Sequence, residues 1–510
     1  MGMVRNLFSL WRSGRRLAAH EALIPPEVMG KAPPLMRLGQ FVLGFGARKD
    51  DAGTAGERLG RALTELGPGF IKMGQFLATR PDLVGAELAA DLAHLQDRLP
   101  SFDQGEAERA VAEALGQPLD EVFAEFGPAV AAASIAQVHY ATLKDGRAVA
   151  VKVLRPDIEK VFARELEAMG FAARMAERLV PELRRLRPVA AVAELAKSVE
   201  RELDLTGEAA AASAIADQFE GDAHYGVPAV HWAYTAKRVM TTDWVDGVPL
   251  HDLAAIDEMG IDRKQLAANY ADAFLRQALH HGLFHADPHP GNMFVNKDGK
   301  LIAVDFGIVG RLVRENRRYL AEILYGALER DYDRVAALHF EAGLVPAHHD
   351  RHDFSLAIRA IGEPVFGQAA QDMSMARIIG GLYEVTERFD MAAQPELMFL
   401  QKTMVVVEGV ARMLDPEFSL WDVGRPAIES FMRAELGPEA KFAEAVEGIA
   451  ALAKAVSSGA LTVPGVTTAP GIVTGDASEW REANSSSFGR AAALTVLVGG
   501  GALAVWLLGG

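Results

Sequence analysis

Three short motifs in a fixed order limit what this chain can fold into more than any other feature. Val149-Ala150-Val151-Lys152 closes an apolar run, Asp287 and Asn292 lie five residues apart in His285-Ala286-Asp287-Pro288-His289-Pro290-Gly291-Asn292, and Asp305-Phe306-Gly307 begins thirteen residues after Asn292. Moving a phosphoryl group requires a cover for the phosphates, a cation on the α- and β-phosphates, carboxylate and amide oxygens for Mg²⁺, and a group that orients the nucleophile. Lys152 supplies the cation, Asn292 and Asp305 the metal oxygens, and Asp287 an acceptor for an attacking hydroxyl or water. Singly, these residues say little, since a strand lysine is usually an exposed or edge residue. Their order and local context make the set specific.

The flanking patterns supply that context. The stretch from Ser134 to Arg155 is β-like and turns at Asp145-Gly146, so Lys152 falls in the second strand of a hairpin. Met293-Phe294-Val295 and Leu301-Ile302-Ala303-Val304 flank the turn Asn296-Lys297-Asp298-Gly299, which puts Asp305 at the end of a second hairpin. A short strand is predicted around Lys237–Val245, before the turn Asp246-Gly247. Apolar spacing predicts helices through most of 55–116, over 157–180, 188–219 and 263–282, and from Gly310 to about Val456. A metal site of His281, His285 and His289 is the rival use of the histidines. Pro288 and Pro290 break the helix that their spacing would need.

Further segments make the resemblance specific. Lys72, Gly74 and Gln75 form a KxGQ motif, Ala131 to His139 reads AAASIAQVH, and Glu202 and Asp204 form an ExD pair followed by Glu208. With HADPHPGN and VDFG, these resemble the UbiB family of atypical protein-kinase-like proteins, over roughly Leu59 to Gly310. The resemblance implies an α+β fold: an atypical two-lobed protein-kinase-like body with an N-terminal helical extension and a C-terminal transmembrane helix. It implies ATP or ADP and Mg²⁺ as ligands, catalytic roles for Asp287, Lys152 and Glu208, and metal contacts from Asn292 and Asp305. Nucleotide contacts would come from Ala131, Ala132, Ala133, Ser134, Ile135, Ala136, Lys152, Asp243 and Val245. The KxGQ segment, with Lys72 and Gln75, would lie across the cleft, Lys72 pairing with one of the ExD carboxylates, Glu202 or Asp204, while Glu208 pairs with Lys152. Thr242-Asp243 stands where the family usually has Met-Glu, near the interlobe hinge.

Ordinary kinases cover the phosphates with a glycine-rich loop. Alanine carries a Cβ and avoids positive φ, so an alanine-rich cover should be stiffer. Taken alone, the alanine run suits a helix start equally well. No Ala-Pro-Glu sequence follows Gly307, and the chain returns to a helical pattern almost at once, which leaves little platform for a peptide acceptor.

Composition bears on partners and anchorage. The formal net charge is -16, so no basic surplus exists to neutralise a nucleic-acid backbone. Absence of cysteine excludes disulfides and thiolate metal sites. Arg5, Arg12, Arg15 and Arg16 alternate with apolar residues in a short amphipathic pattern. The last twenty residues, from Ala491, carry no charge and follow Arg490, so they suit a single membrane span with the body on the cytoplasmic side of a bacterial-type inner membrane. The expected organisation is a helical extension (1–54), a KxGQ helical region (55–128), an N-lobe with inserted helices (129–245), a helical C-lobe (246–456), a linker (457–490) and a transmembrane helix (491–510).

Three functions from different classes follow. One is an ATP-dependent kinase or ATPase serving ubiquinone biosynthesis, with membrane lipid, polyprenyl-quinone precursors and quinone-biosynthesis enzymes as partners. Another is a nucleotide-binding pseudokinase scaffold for those enzymes. The last is a direct hydroxylase, because members of the family often carry the label 2-polyprenylphenol 6-hydroxylase. It would need flavin, haem or non-haem iron, and neither a GxGxxG after an N-terminal strand nor a cysteine is present.

Overall fold

The computed structural model describes residues 54–78, 100–179, 187–366, 375–391 and 395–436, together with 15, 16, 19, 20, 88, 91, 92 and 184. The chain divides into two compact units, Met1–Phe431 and Met432–Gly510. All that follows belongs to the first, apart from the end of the last helix. Most of the 1–54 extension, the 457–490 linker and the expected span at 491–510 lie outside the described residues. Among the described residues no helix is long and apolar enough to cross a membrane.

Helices α1 (Ala55–Leu66) and α2 (Pro68–Ala78) open the described body, and α3 (Gln104–Leu115) follows. The antiparallel sheet of the N-lobe has the order β1 (Phe123–Ala132), β2 (Ala136–Leu143), β3 (Ala148–Leu154), β5 (Val239–Asp243). Strand periodicity divides β3 cleanly. Val149, Val151 and Val153 are buried beneath α3 with Val111, Val122 and Val239, while Lys152 points to the other face. Strand β1 runs through the expected 128/129 boundary. Its Gly127-Pro128 pair sits where the pairing with β2 shifts register between Phe126 and Ala129. Proline is tolerated there because β1 is an edge strand and the irregularity needs no ladder donor.

Between β3 and β5 lie α4 (Ile158–Leu179), α5 (Pro188–Glu202) and α6 (Leu205–Gln218). The single helix expected over 188–219 is therefore two. Asp204 breaks it by accepting the Thr206 N–H at 3.0 Å as the N-cap of α6. In the C-lobe, β4 (Tyr225–Gly226), β9 (Leu301–Ala303), β8 (Met293–Val295) and β6 (Val248–Pro249) form a second small sheet, and β7 (Leu283–His285) pairs with β10 (Val309–Arg311). After α7 (Leu253–Glu258), helix α8 (Arg263–Leu275) continues into a π-helical turn, Arg276–His281. That turn ends at Gly282, whose φ of +73° and close approach to the Leu312 carbonyl both exclude a side chain. Helices α9 (Arg314–Leu328), α10 (Tyr332–Glu341), α11 (Arg351–Phe366), α12 (Met375–Arg388), α13 (Pro395–Leu414) and α14 (Leu420–Leu436) complete the order. α10 to α12 have an apolar cluster of their own around Tyr332, Phe354 and Phe389.

Candidate active site

The site is assembled from strand ends and one helix. Lys152, on the cleft face of β3, donates to both oxygens of Glu208 on α6 at 2.7 and 2.9 Å and to Asp305 at 3.1 Å. Glu208 lies in the first turn of α6, a helix capped by Asp204 and packed against β5. Burial opposes charge on Lys152, yet the Asp305 and Glu208 carboxylates together raise its pKa well above the usual lysine value. The Lys152 ammonium holds Asp305 well below the usual carboxylate range, with smaller help from Lys72. Burial pushes Glu208 up to about 7, against the pull of Lys152. Asp305 is half exposed and has a left-handed φ of +60°, a conformation that costs of order 1–3 kcal/mol and that Asp tolerates better than most residues.

The loop after β7 is tied down residue by residue. Buried His285 receives the Asp287 N–H on Nδ1 at 3.2 Å, and its Nε2 lies 3.3 Å from the Val304 carbonyl. Burial lowers its pKa, so the neutral ring with the proton on Nε2 fits both contacts. Gln277, in the π-helical turn, accepts the His285 N–H at 2.9 Å. Tyr270 donates to the Pro288 carbonyl, and Thr403 on α13 donates to the Ala286 carbonyl at 3.1 Å. Asn292 Nδ2 donates to the Asp287 carbonyl at 3.2 Å, which leaves Oδ1 as the atom with metal-binding capacity. The Asn292 carbonyl accepts from Val304 N at 2.9 Å, linking this loop to the strand that leads into Asp305. His281 lies in the π-helical turn, His285 is buried and His289 is exposed, so the three expected of the rival metal site occupy different environments.

Of the alanine-rich stretch, Ala131 and Ala132 end β1 and Ala136 begins β2, leaving Ala133, Ser134 and Ile135 as a tight turn. The turn is held by the Ala133 N–H to Ala136 carbonyl bond at 2.8 Å and by Arg155, whose guanidinium donates to the Ala133 carbonyl at 2.8 and 3.1 Å. At the far edge, the Asp243 carboxylate lies 2.7 Å from His231 Nε2. Its side chain is thereby occupied, and Val245, half-buried, follows in the connection to the C-lobe.

Helix α2 carries the KxGQ residues and packs against α4 and α5. Lys72 pairs with Glu202 at 2.5 Å, both side chains largely buried. Asp204 is not that partner, since its carboxylate caps α6. Gln75 lies half-buried one turn beyond Lys72. The motif gave no sign of Glu165 on α4. That carboxylate accepts the Gly69 N–H at 2.7 Å and so caps α2 from another helix, in space that a side chain at Gly69 would fill. Burial pushes Glu165 up to about 7. Arg155, Tyr270 and Thr403 also escaped the sequence reading, because their partners are backbone groups distant in sequence, and His285, weighed there only as a metal ligand, instead holds the loop backbone.

Residues 94–339 match the ABC1 atypical kinase-like domain and residues 358–419 the UbiB helical domain. Among curated relatives, a "Probable protein kinase UbiB" from Marinobacter nauticus is 42% identical over 388 residues, covering 75% of this chain and 71% of that protein. The protein of the same name from Pseudomonas paraeruginosa is 39% identical over 456 residues, covering 88% of this chain and 84% of its own. A solved structure, the complex of Rv3197 with erythromycin from Mycobacterium tuberculosis, is similar at 26% identity with a TM-score of 0.49 and covers 73% of this chain and 95% of that one. The two matched domains and the identities to the curated UbiB proteins over most of the chain lead to one conclusion: this chain belongs to the UbiB family.

Proposed function

We propose that this chain is an ATP-dependent atypical kinase or ATPase that supports ubiquinone (polyprenylphenol) biosynthesis at a membrane. The observation that carries the reading is Lys152 bridging Glu208 and Asp305, with Asn292 tied to Asp287 across the same loop. The donor set fits Mg²⁺ with a nucleotide: Asp305 is kept ionised by Lys152, and Asn292 has an amide oxygen to give. In this reading Lys152 binds the α- and β-phosphates while Glu208 fixes its position. Asn292 and Asp305 hold Mg²⁺, which when bound neutralises charge on the phosphate oxygens. Asp287 accepts the hydrogen bond of the attacking hydroxyl or water. Residues Ala131 to Ala136 lie toward the phosphates, and the Asp243–Val245 backbone toward the adenine. Helix α2 narrows the acceptor side, which favours a polyprenyl-quinone precursor or water over a peptide. Membrane lipid and quinone-biosynthesis enzymes are the proposed partners, with the 491–510 tail as anchor.

A second reading, a nucleotide-binding scaffold, is favoured by the locking of α2 through Lys72 and Glu165. Single-turnover ATP hydrolysis by the full-length chain, with and without vesicles carrying polyprenylphenols, separates the two. Lipid-stimulated turnover is expected, together with loss of Mg·ATP binding in Asp305→Asn. Unchanged Mg·ATP affinity in that variant overturns the site, and absent turnover under every lipid condition leaves the scaffold.

A further inference from the structure

A cluster remote in sequence from every motif above has the donors of a different kind of site. His348 and His349 lie in the connection from α10 to α11, and Asp390 follows the end of α12. His349 Nε2 is 3.2 Å from Asp390 Oδ2, and His348 Nε2 is 3.8 Å from the same oxygen. All three candidate ligand atoms lie within 4.8 Å of one another, the one such group of His, Asp and Glu among the described residues. We propose that His348, His349 and Asp390 form a binding site for a divalent transition metal of the Zn²⁺ type, which joins the α10–α11 connection to the end of α12.

The spacing fits such an ion. Zinc takes imidazole nitrogens and carboxylate oxygens at about 2.0–2.2 Å, so neighbouring ligands of a tetrahedral site lie roughly 3.3–3.5 Å apart. The two measured His–Asp separations fall on either side of that range, and small side-chain rotations bring both into it. The backbone is prepared for the contact. Phe389, next to Asp390, is buried and packs edge-on against His349 at 5.3 Å and against Phe354 at 5.0 Å. The His349 N–H is bonded to the Pro346 carbonyl at 3.1 Å. Asp390 has a φ of +48°, a left-handed conformation that turns its carboxylate back from the helix end. The His348 and His349 rings lie 4.1 Å apart. His348 and Asp390 are open to solvent, at 68% and 70% exposure, which leaves room for water to complete the coordination. Nitrogen donors separate this site from the oxygen-only Mg²⁺ set at Asn292 and Asp305.

The test uses the full-length, untagged chain stripped with a chelator. Titration with Zn²⁺ should show one equivalent bound and a higher thermal midpoint, and Co²⁺ should give the visible bands of a low-symmetry four-coordinate site. His348→Ala, at an exposed ring, should weaken Zn²⁺ binding at least tenfold, and so should Asp390→Asn. Asp305→Asn should bind Zn²⁺ as the wild type does, and Mg²⁺ should not compete. Binding that survives both His348→Ala and Asp390→Asn, or no binding by the wild type, overturns the proposal and leaves the trio as an ion pair only.

Discussion

Two largely buried lysine–glutamate pairs stand near one another in this molecule, and they are built in opposite ways. Lys152 stands on a strand whose register is fixed on both sides, opposite Val138 on β2 and Met240 on β5. It faces two carboxylates, Glu208 and Asp305. Lys72 stands on a short helix that no ladder holds. It faces Glu202, and its helix is capped about one turn earlier, at Gly69, by Glu165. The Lys72–Glu202 pair joins α2 to α5. Lys152 meets two carboxylates, one of them half exposed. Geometry of this kind bears more on specificity than on net stability, because desolvation offsets most of the attraction.

The largest expected effect separates the pairs by function. Lys152→Ala should lower ATP turnover by at least about a hundredfold, the scale of losing one preorganised charge contact in a site. Lys72→Ala should leave single-turnover rates within about tenfold, but strip a partner from largely buried Glu202 and destabilise the chain by roughly 3 kcal/mol in urea unfolding. Equal loss of turnover in both variants would erase the distinction.

A smaller effect tests the cap on α2. Glu165 has a raised folded pKa of about 7, so the folded state binds its proton more tightly than the unfolded state does. That contribution is present below the ordinary carboxylate value near 4.5 and is lost as pH rises through about 7. Glu165→Gln, which cannot ionise, should therefore gain on the wild type by roughly 1–2 kcal/mol between pH 5 and pH 8, after discount for partial exposure. A constant gap across that range in denaturant midpoints would refute it. The smallest effect belongs to Asp204. Asp204→Ala should cost about 1 kcal/mol through the lost cap, Asp204→Asn much less, and neither should change the Lys72–Glu202 pair. If Asp204→Asn is as damaging as Lys72→Ala, the ExD carboxylates act together.

Much of the candidate site was legible because its signals are local. The Asp145-Gly146 and Asn296–Gly299 turns fix two hairpins, and period-two alternation then places Lys152 on the cleft face and Asp305 beyond a strand end. Strand β1 was not legible, since Gly127, Pro128 and its alanines carry little β-propensity. It becomes a strand through pairing with β2 along an edge that tolerates irregularity. The break at Asp204 was legible in principle, because Asp before Leu-Thr-Gly-Glu is an N-cap pattern with an acidic first turn.

The sequence by itself determined which groups are available: one lysine in a hairpin, a carboxylate and an amide at fixed spacing, and a second carboxylate after a turn. Those depend on contacts a few residues long. Only the tertiary structure decided that Lys72 meets Glu202, that Glu165 caps a helix 96 residues away, and that His348 and His349 converge on Asp390. Such pairings are set by how helices pack across the core, and packing selects partners by shape and burial that no local pattern encodes.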